Sequence, residues 1–240
     1  MKIETMELRG ITKKFGASIV LDNIDLLMHF GRIYGIAGIN GSGKTLLFKI
    51  ICGFIYPDAG EVYLKQTKLD LDNIWLQNLG ILIENAGFVE ELTVFQNLKE
   101  LTIINKNVSD KQILNSVKKL GLDEQLNKKY KALSLGMKQK LAIVQAIFED
   151  PEIIILDEPF NSLDKSSVEI VKSLLLELKL KNKLIIITSH NETHLRDLCD
   201  ETYELKNSRI FVYEGGGAND LATEVGKPQT EHKKERKYLP

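Results

Sequence analysis

Gly38-Ile39-Asn40-Gly41-Ser42-Gly43-Lys44-Thr45 is the stretch on which the reading of this chain turns. The apolar run from Arg32 to Ala37 precedes it, and Leu46, Leu47, Ile50 and Ile51 follow at helical spacing until Gly53. A buried strand, a glycine-rich turn and a helix in that order make a cradle for an anion. Glycines let the backbone curl without a Cβ clash, so successive N–H groups converge on phosphate oxygens. The helix adds its N-terminal dipole. Gly38, Asn40, Gly41, Ser42 and Gly43 are therefore the candidate cradle. Lys44 is expected to reach the β- and γ-phosphates of a nucleotide, and the Thr45 hydroxyl to bind Mg2+. A glycine-rich turn that binds nothing leaves the Lys-Thr pair unexplained.

Moving outward, Ile153-Ile154-Ile155-Leu156 is a continuous apolar run, as expected of a parallel strand buried on both faces, and it ends in Asp157-Glu158. Carboxylates at the carboxyl end of such a strand lie at the crevice where open sheets bind ligands. Asp157 is expected to hold Mg2+ directly or through its water, and Glu158 to act as general base on the attacking water. Two adjacent acids are commonly just a solvated turn; the apolar strand before them and Pro159 after them favour function. A helix from about Lys165 to Leu180 and a second buried run, Leu184 to Ile187, continue the alternation. Strands alternating with crossover helices imply a mostly parallel sheet covered on both sides.

Earlier in the chain, Leu8 to Thr12 and Ile19 to Met28 read as strands separated by turns, and Glu61 to Leu64 and Leu79 to Ile83 as two more. From about residue 85 to 150 the pattern is helical. Thr93 with Gln96, and Ser109 with Gln112, have capping-box spacing, and a third helix runs from about Gly136 to Phe148. Beyond Gly215-Gly216-Gly217 the apolar periodicity fades, so residues 215–240 are expected to form a mobile tail after a domain spanning 1–214.

A formal net charge of -1 gives no argument for a nucleic-acid partner. Cys52 and Cys199 match no metal-ligand spacing and read as reduced core thiols. The opening Met1-Lys2-Ile3-Glu4 lacks a basic-then-apolar leader pattern, and no apolar run approaches the ~18–20 residues that span a bilayer. A cytoplasmic location is expected, with any membrane reached through a partner.

Upstream of the acidic strand, Leu133-Ser134-Leu135-Gly136-Met137-Lys138-Gln139 resembles the signature motif of ABC ATPases. The resemblance covers about Leu8 to Val212. It implies an α/β fold: a P-loop NTPase core with a mostly parallel sheet, an N-terminal antiparallel β region and an inserted helical subdomain. It also implies ATP and Mg2+ as cofactors. Two copies of the chain would sandwich two ATP molecules, with Ser134 and Gly136 of one copy capping the nucleotide held by the other. Phe15 resembles the aromatic that stacks on adenine. Asp164 resembles the loop residue that crosses the dimer interface, and His190 the switch histidine that contacts the γ-phosphate and positions Glu158.

The usual signature is Leu-Ser-Gly-Gly-Gln; here Leu135 and Met137 replace its third and fifth residues, while Ser134 and Gly136 remain. Within Leu82-Ile83-Glu84-Asn85-Ala86-Gly87-Phe88, Glu84 stands where the family usually has a glutamine that reaches the metal and the water. Glu84 together with Ser-Leu-Gly-Met-Lys-Gln resembles the bacitracin- and lantibiotic-resistance branch. The implied partner is a separate membrane permease that exports peptide antibiotics, docking near Phe88, Val89 and Val94 and holding the chain at the inner face of the membrane. A soluble ABC ATPase that remodels a protein complex, of the cluster-assembly type, is the alternative compatible with the length.

Overall fold

The computed structural model describes residues 4–69, 78–84, 86–103 and 108–213, and the backbone of 223–224. Strand β1 (Thr5–Phe15) turns at Gly16 into the antiparallel β2 (Ser18–His29). β3 (Ile33–Ala37) then runs into the glycine-rich loop and α1 (Lys44–Ile51). The chain returns through β4 (Ala59–Leu64) and β5 (Thr67–Lys68), which complete a four-stranded antiparallel sheet in the order β2-β1-β4-β5. After β6 (Leu79–Leu82) come α2 (Val94–Leu101), α3 (Asp110–Lys119) and α4 (Leu135–Ile147). β7 (Ile153–Leu156), α5 (Lys165–Leu180), β8 (Leu184–Thr188), α6 (Glu192–Leu198), β9 (Glu201–Lys206), β10 (Arg209–Val212) and β11 (Thr223–Glu224) follow. The second sheet has seven strands in the order β11-β10-β9-β3-β8-β7-β6. Its five strands from β9 to β6 are parallel, and β10 and β11 are antiparallel additions at one edge.

Strand alternation distributes this sheet's side chains between two cores. Ile153, Ile155, Leu184 and Ile186 join the side built by α1 and the antiparallel sheet, with Met6, Leu8, Leu47 and Phe48. Ile154, Leu156, Ile185 and Ile187 join the side built by α2 to α5, with Leu98, Val117, Leu141 and Leu175. All eight isoleucines and leucines of β7 and β8 named here are 0% exposed, each contributing about 1.5–3 kcal/mol on burial. The uninterrupted apolar runs seen in the sequence are thus a consequence of having a core on both faces.

Both capping boxes form: the Thr93 and Ser109 side chains accept from the Gln96 and Gln112 amides, and each glutamine reaches back. Several elements differ from the sequence reading. β1 and β2 are longer at both ends than their apolar segments, because the ladder between them runs on from the Thr5 and His29 pair to the Phe15 and Ser18 pair whatever the polarity of the side chains. The pair β9–β10 was not anticipated. Its strands mix Glu201, Glu204 and Lys206 with buried Tyr203 and Leu205, and Asn207 and Ser208 at its turn both adopt left-handed φ. The segment expected to be a mobile tail contributes Thr223–Glu224 to β11; its other residues lie outside those described. Among the described residues no helix is long and apolar enough to cross a membrane.

Candidate functional site

The loop before α1 has the backbone its glycines imply. Gly38, Gly41 and Gly43 have φ of 149°, 80° and 108°, values that an L side chain rarely adopts. A Cβ on Gly38 would meet Leu205 O and Ser42 Oγ, each at 2.7 Å. Lys44 is 6% exposed and donates through Nζ to Gly38 O (2.7 Å) and Ile39 O (3.1 Å), so it folds back over the loop. α1 starts with no side-chain cap and no acid in its first turn, which leaves its positive end available. Ser42 Oγ is buried with no hydrogen-bond partner, and a phosphate oxygen would supply one. The loop fits an anionic phosphate.

Facing it is a chain of short hydrogen bonds. Thr45 Oγ1 donates to Asp157 Oδ2 (2.6 Å), and Thr188 Oγ1 donates to Asp157 Oδ1 (2.6 Å). The Glu158 amide donates to the same Thr188 hydroxyl at 2.8 Å. Alternation explains the convergence: Asp157 follows the face of Ile153 and Ile155, and Thr188 that of Leu184 and Ile186, which is the side on which α1 packs. Glu158 leaves the strand with a left-handed φ of 50°, a conformation costly for a non-glycine residue and recurrent at functional sites. Its Oε2 lies 2.9 Å from His190 Nδ1 and 3.3 Å from the His190 amide, and its carbonyl accepts from Gln139 Nε2 at 3.1 Å. Thr188 and Gln139 had no role in the sequence reading. Thr188 ends its apolar run as Asp157 ends its own, but a threonine at a strand end is too common to mark a site.

Ser134 is the N-cap of α4, its Oγ accepting from the Met137 amide at 3.3 Å. Gly136 is needed there by close approach, because a Cβ would lie 2.8 Å from Ser162 O. Asp164 caps α5, accepting from the Ser167 amide (2.7 Å) and from Ser166 Oγ (2.9 Å). The Ser167 amide is the main reason its carboxyl is pulled down to about 2. Phe15 is 55% exposed at the end of β1, with Lys13 Nζ 5.8 Å from its ring centre and Asp58 holding the Lys13 ammonium and the Lys14 amide. Within the chain, no hydrogen bond among the described residues links Ser134 or Gly136 to residues 38–45.

Glu84 follows β6 with a φ of 59°, and its carboxylate is turned onto Lys49 Nζ of α1 at 2.6 Å. It shares with Asp157, Glu158, Leu135, Lys138 and Gln139 the lining of a cleft of about 400 Å³. The Glu84 carboxylate is thus held in an ion pair that the sequence did not suggest. Among the described residues, no three His, Cys, Asp or Glu side chains gather into a metal cluster. The oxygen pair of Thr45 and Asp157 instead suits Mg2+, which takes one or two protein oxygens and completes its shell with phosphate and water.

The family described as "ABC transporter" matches residues 21–161. The uncharacterized ABC transporter ATP-binding protein YybJ of Bacillus subtilis (strain 168) is 41% identical over 87% of this chain and 96% of its own length. The bacitracin transport ATP-binding protein BcrA of Enterococcus faecalis is 34% identical over 97% of this chain and 72% of its own. Among solved structures, the dimeric post-hydrolysis state of the ATP-binding cassette MJ0796, bound to ADP and Pi, superposes with a TM-score of 0.78 at 28% identity. It covers 88% of this chain and 100% of the cassette. The phosphate cradle, the carboxylates beside it and these likenesses lead to one assignment: the chain belongs to the ABC transporter family, as an ATP-binding subunit and an ATPase.

Proposed function

We propose that this subunit powers a separate membrane permease that exports peptide antibiotics of the bacitracin and lantibiotic type, and that it works as a homodimer closing on two ATP molecules. The observation that carries the motor reading is the Glu158 carboxylate, held by His190 at 2.9 Å at the mouth of the sheet beside the Thr45–Asp157 pair. Lys44 exchanges its two loop carbonyls for phosphate oxygens when ATP enters the cradle. Thr45 and Asp157 hold Mg2+, which supplies Lewis-acid polarisation of the phosphoryl oxygens. Glu158 takes the proton of the attacking water, and His190 keeps that carboxylate aimed. Phe15, exposed at the end of β1, stacks on the adenine. Ser134 and Gly136 of the second copy complete the γ-phosphate shell from the start of α4, and Asp164 lies at the same joint. Glu84 and the likeness to a bacitracin transport subunit support the peptide-antibiotic branch. The permease then holds the subunit at the inner membrane face.

Hydrolysis by wild type and Glu158→Gln tests this reading. The variant keeps the shape and loses the base, so its rate is expected to fall about 10²–10⁴-fold and the protein to accumulate as an ATP-dependent dimer on gel filtration. An undiminished rate removes Glu158 from the mechanism, and a variant that stays monomeric in ATP removes the sandwich. For the substrate, cells carrying the subunit with its permease should survive bacitracin or a lantibiotic at concentrations that kill cells carrying Glu158→Gln.

A further inference from the structure

The Lys49–Glu84 ion pair joins two elements with different business. Lys49 lies in the last turn of α1, the helix that begins at the phosphate cradle. Glu84 lies two residues beyond β6, the strand that pairs with β7. Three carboxylates, Glu84, Asp157 and Glu158, line one cleft, and like charges at such spacing repel. Two of them are internally satisfied: Asp157 by Thr45 and Thr188, Glu158 by His190. Glu84 alone is drawn away, onto an ammonium 2.6 Å distant, with its own side chain 63% exposed. Its backbone is left-handed, so Glu84 has left the pleat of β6.

We propose that Lys49 is a positioning residue, a latch that holds Glu84 off the metal site until nucleotide is bound. The inference rests on reading Glu84 as the residue that turns to the metal in the loaded state. Release is feasible because a half-exposed pair of this kind is weak, whereas a divalent cation offers the carboxylate a stronger partner. α1 carries both the latch and the phosphate-binding Lys44–Thr45 end, so occupancy of the cradle and the position of Glu84 are set by one rigid element.

The test is Mn2+ binding, followed by electron paramagnetic resonance with a non-hydrolysable ATP analogue, in wild type, Lys49→Met, Glu84→Gln and the double variant. With the latch removed, Glu84 is free to meet the ion. Lys49→Met should therefore tighten Mn2+ binding about two- to five-fold more in the wild-type background than in the Glu84→Gln background. Lys49→Arg, which keeps the pair, should restore wild-type affinity. Equal effects in the two backgrounds, or none, overturn the latch. If Glu84→Gln by itself alters Mn2+ affinity in that case, the reading of Glu84 survives; if it does not, both fall. Thermal melts of all five proteins separate a folding defect from a binding one.

Discussion

The Thr188 hydroxyl has a single proton, given to Asp157, and a lone pair that takes the Glu158 amide. One side chain, itself 0% exposed, thus fixes the carboxylate of Asp157 and the backbone of Glu158. Thr188→Val keeps the shape and removes both bonds, leaving a half-buried carboxylate oxygen and a half-buried N–H without that partner. The expected cost is about 1–3 kcal/mol of stability, read as a lower denaturant midpoint, with a fall in hydrolysis because Asp157 and Glu158 lose their common anchor. Thr188→Ser, which keeps the hydroxyl, should recover most of both. At this scale the residues of the cradle and the acidic pair could be read from the sequence because their types at that spacing have few other uses. Thr188 and Lys49 could not: a threonine ending a strand and a lysine on a helix are commonplace, and only the register of β7 and β8 and the turn of Glu84 give them partners.

Among the elements, β6 is the one whose position is set most tightly. A Cβ on Gly80 would lie 1.8 Å from Ala146 O and 2.7 Å from Pro151 Cγ, so the strand rests directly on the end of α4. Gly80→Ala must push β6 away from α4, and with it Glu84 four residues on. We expect about 2–3 kcal/mol of destabilisation, measured by thermal melting, and a shift in the metal dependence of hydrolysis. If both were unaltered, the strand would not be the rigid mount of Glu84. Elements with strong periodicity or caps, such as α2, α3, β7 and β8, were legible from sequence alone. β9 and β10 were not, because an edge hairpin with one solvated face carries glutamates and lysines that dilute the apolar signal, and only the Asn207-Ser208 turn marks it.

Taken as a whole, the molecule leaves Phe15, Ile39 and Leu135 exposed at 55%, 81% and 73% around its nucleotide loop and its signature turn. Large apolar side chains in such places mark a surface that meets a partner, which the proposed function assigns to a second copy. Leu135→Asp is the probe. At the first turn of α4 an acid is tolerated by the helix dipole, so the monomer should melt as before. Across the joint the same charge would oppose a phosphate, so the ATP-dependent dimer of Glu158→Gln should disappear when Leu135→Asp is added, as read by analytical ultracentrifugation. The sequence reading anticipated the mostly parallel sheet covered on both sides and its inserted helices; that the antiparallel sheet shares one of the two cores with α1 was visible only in the structure. That order has a dynamic corollary. β7 and β8 are covered on both faces, whereas α2, α3 and the β9–β10 edge are covered on one. Local openings begin where one core alone is lost, and a strand shared by both opens only when both are breached. The amides leading into Asp157 and Thr188 therefore belong to the slowest-exchanging unit of the protein. On the proposed function, the helices can breathe against a permease while Asp157 and Glu158 stay in register.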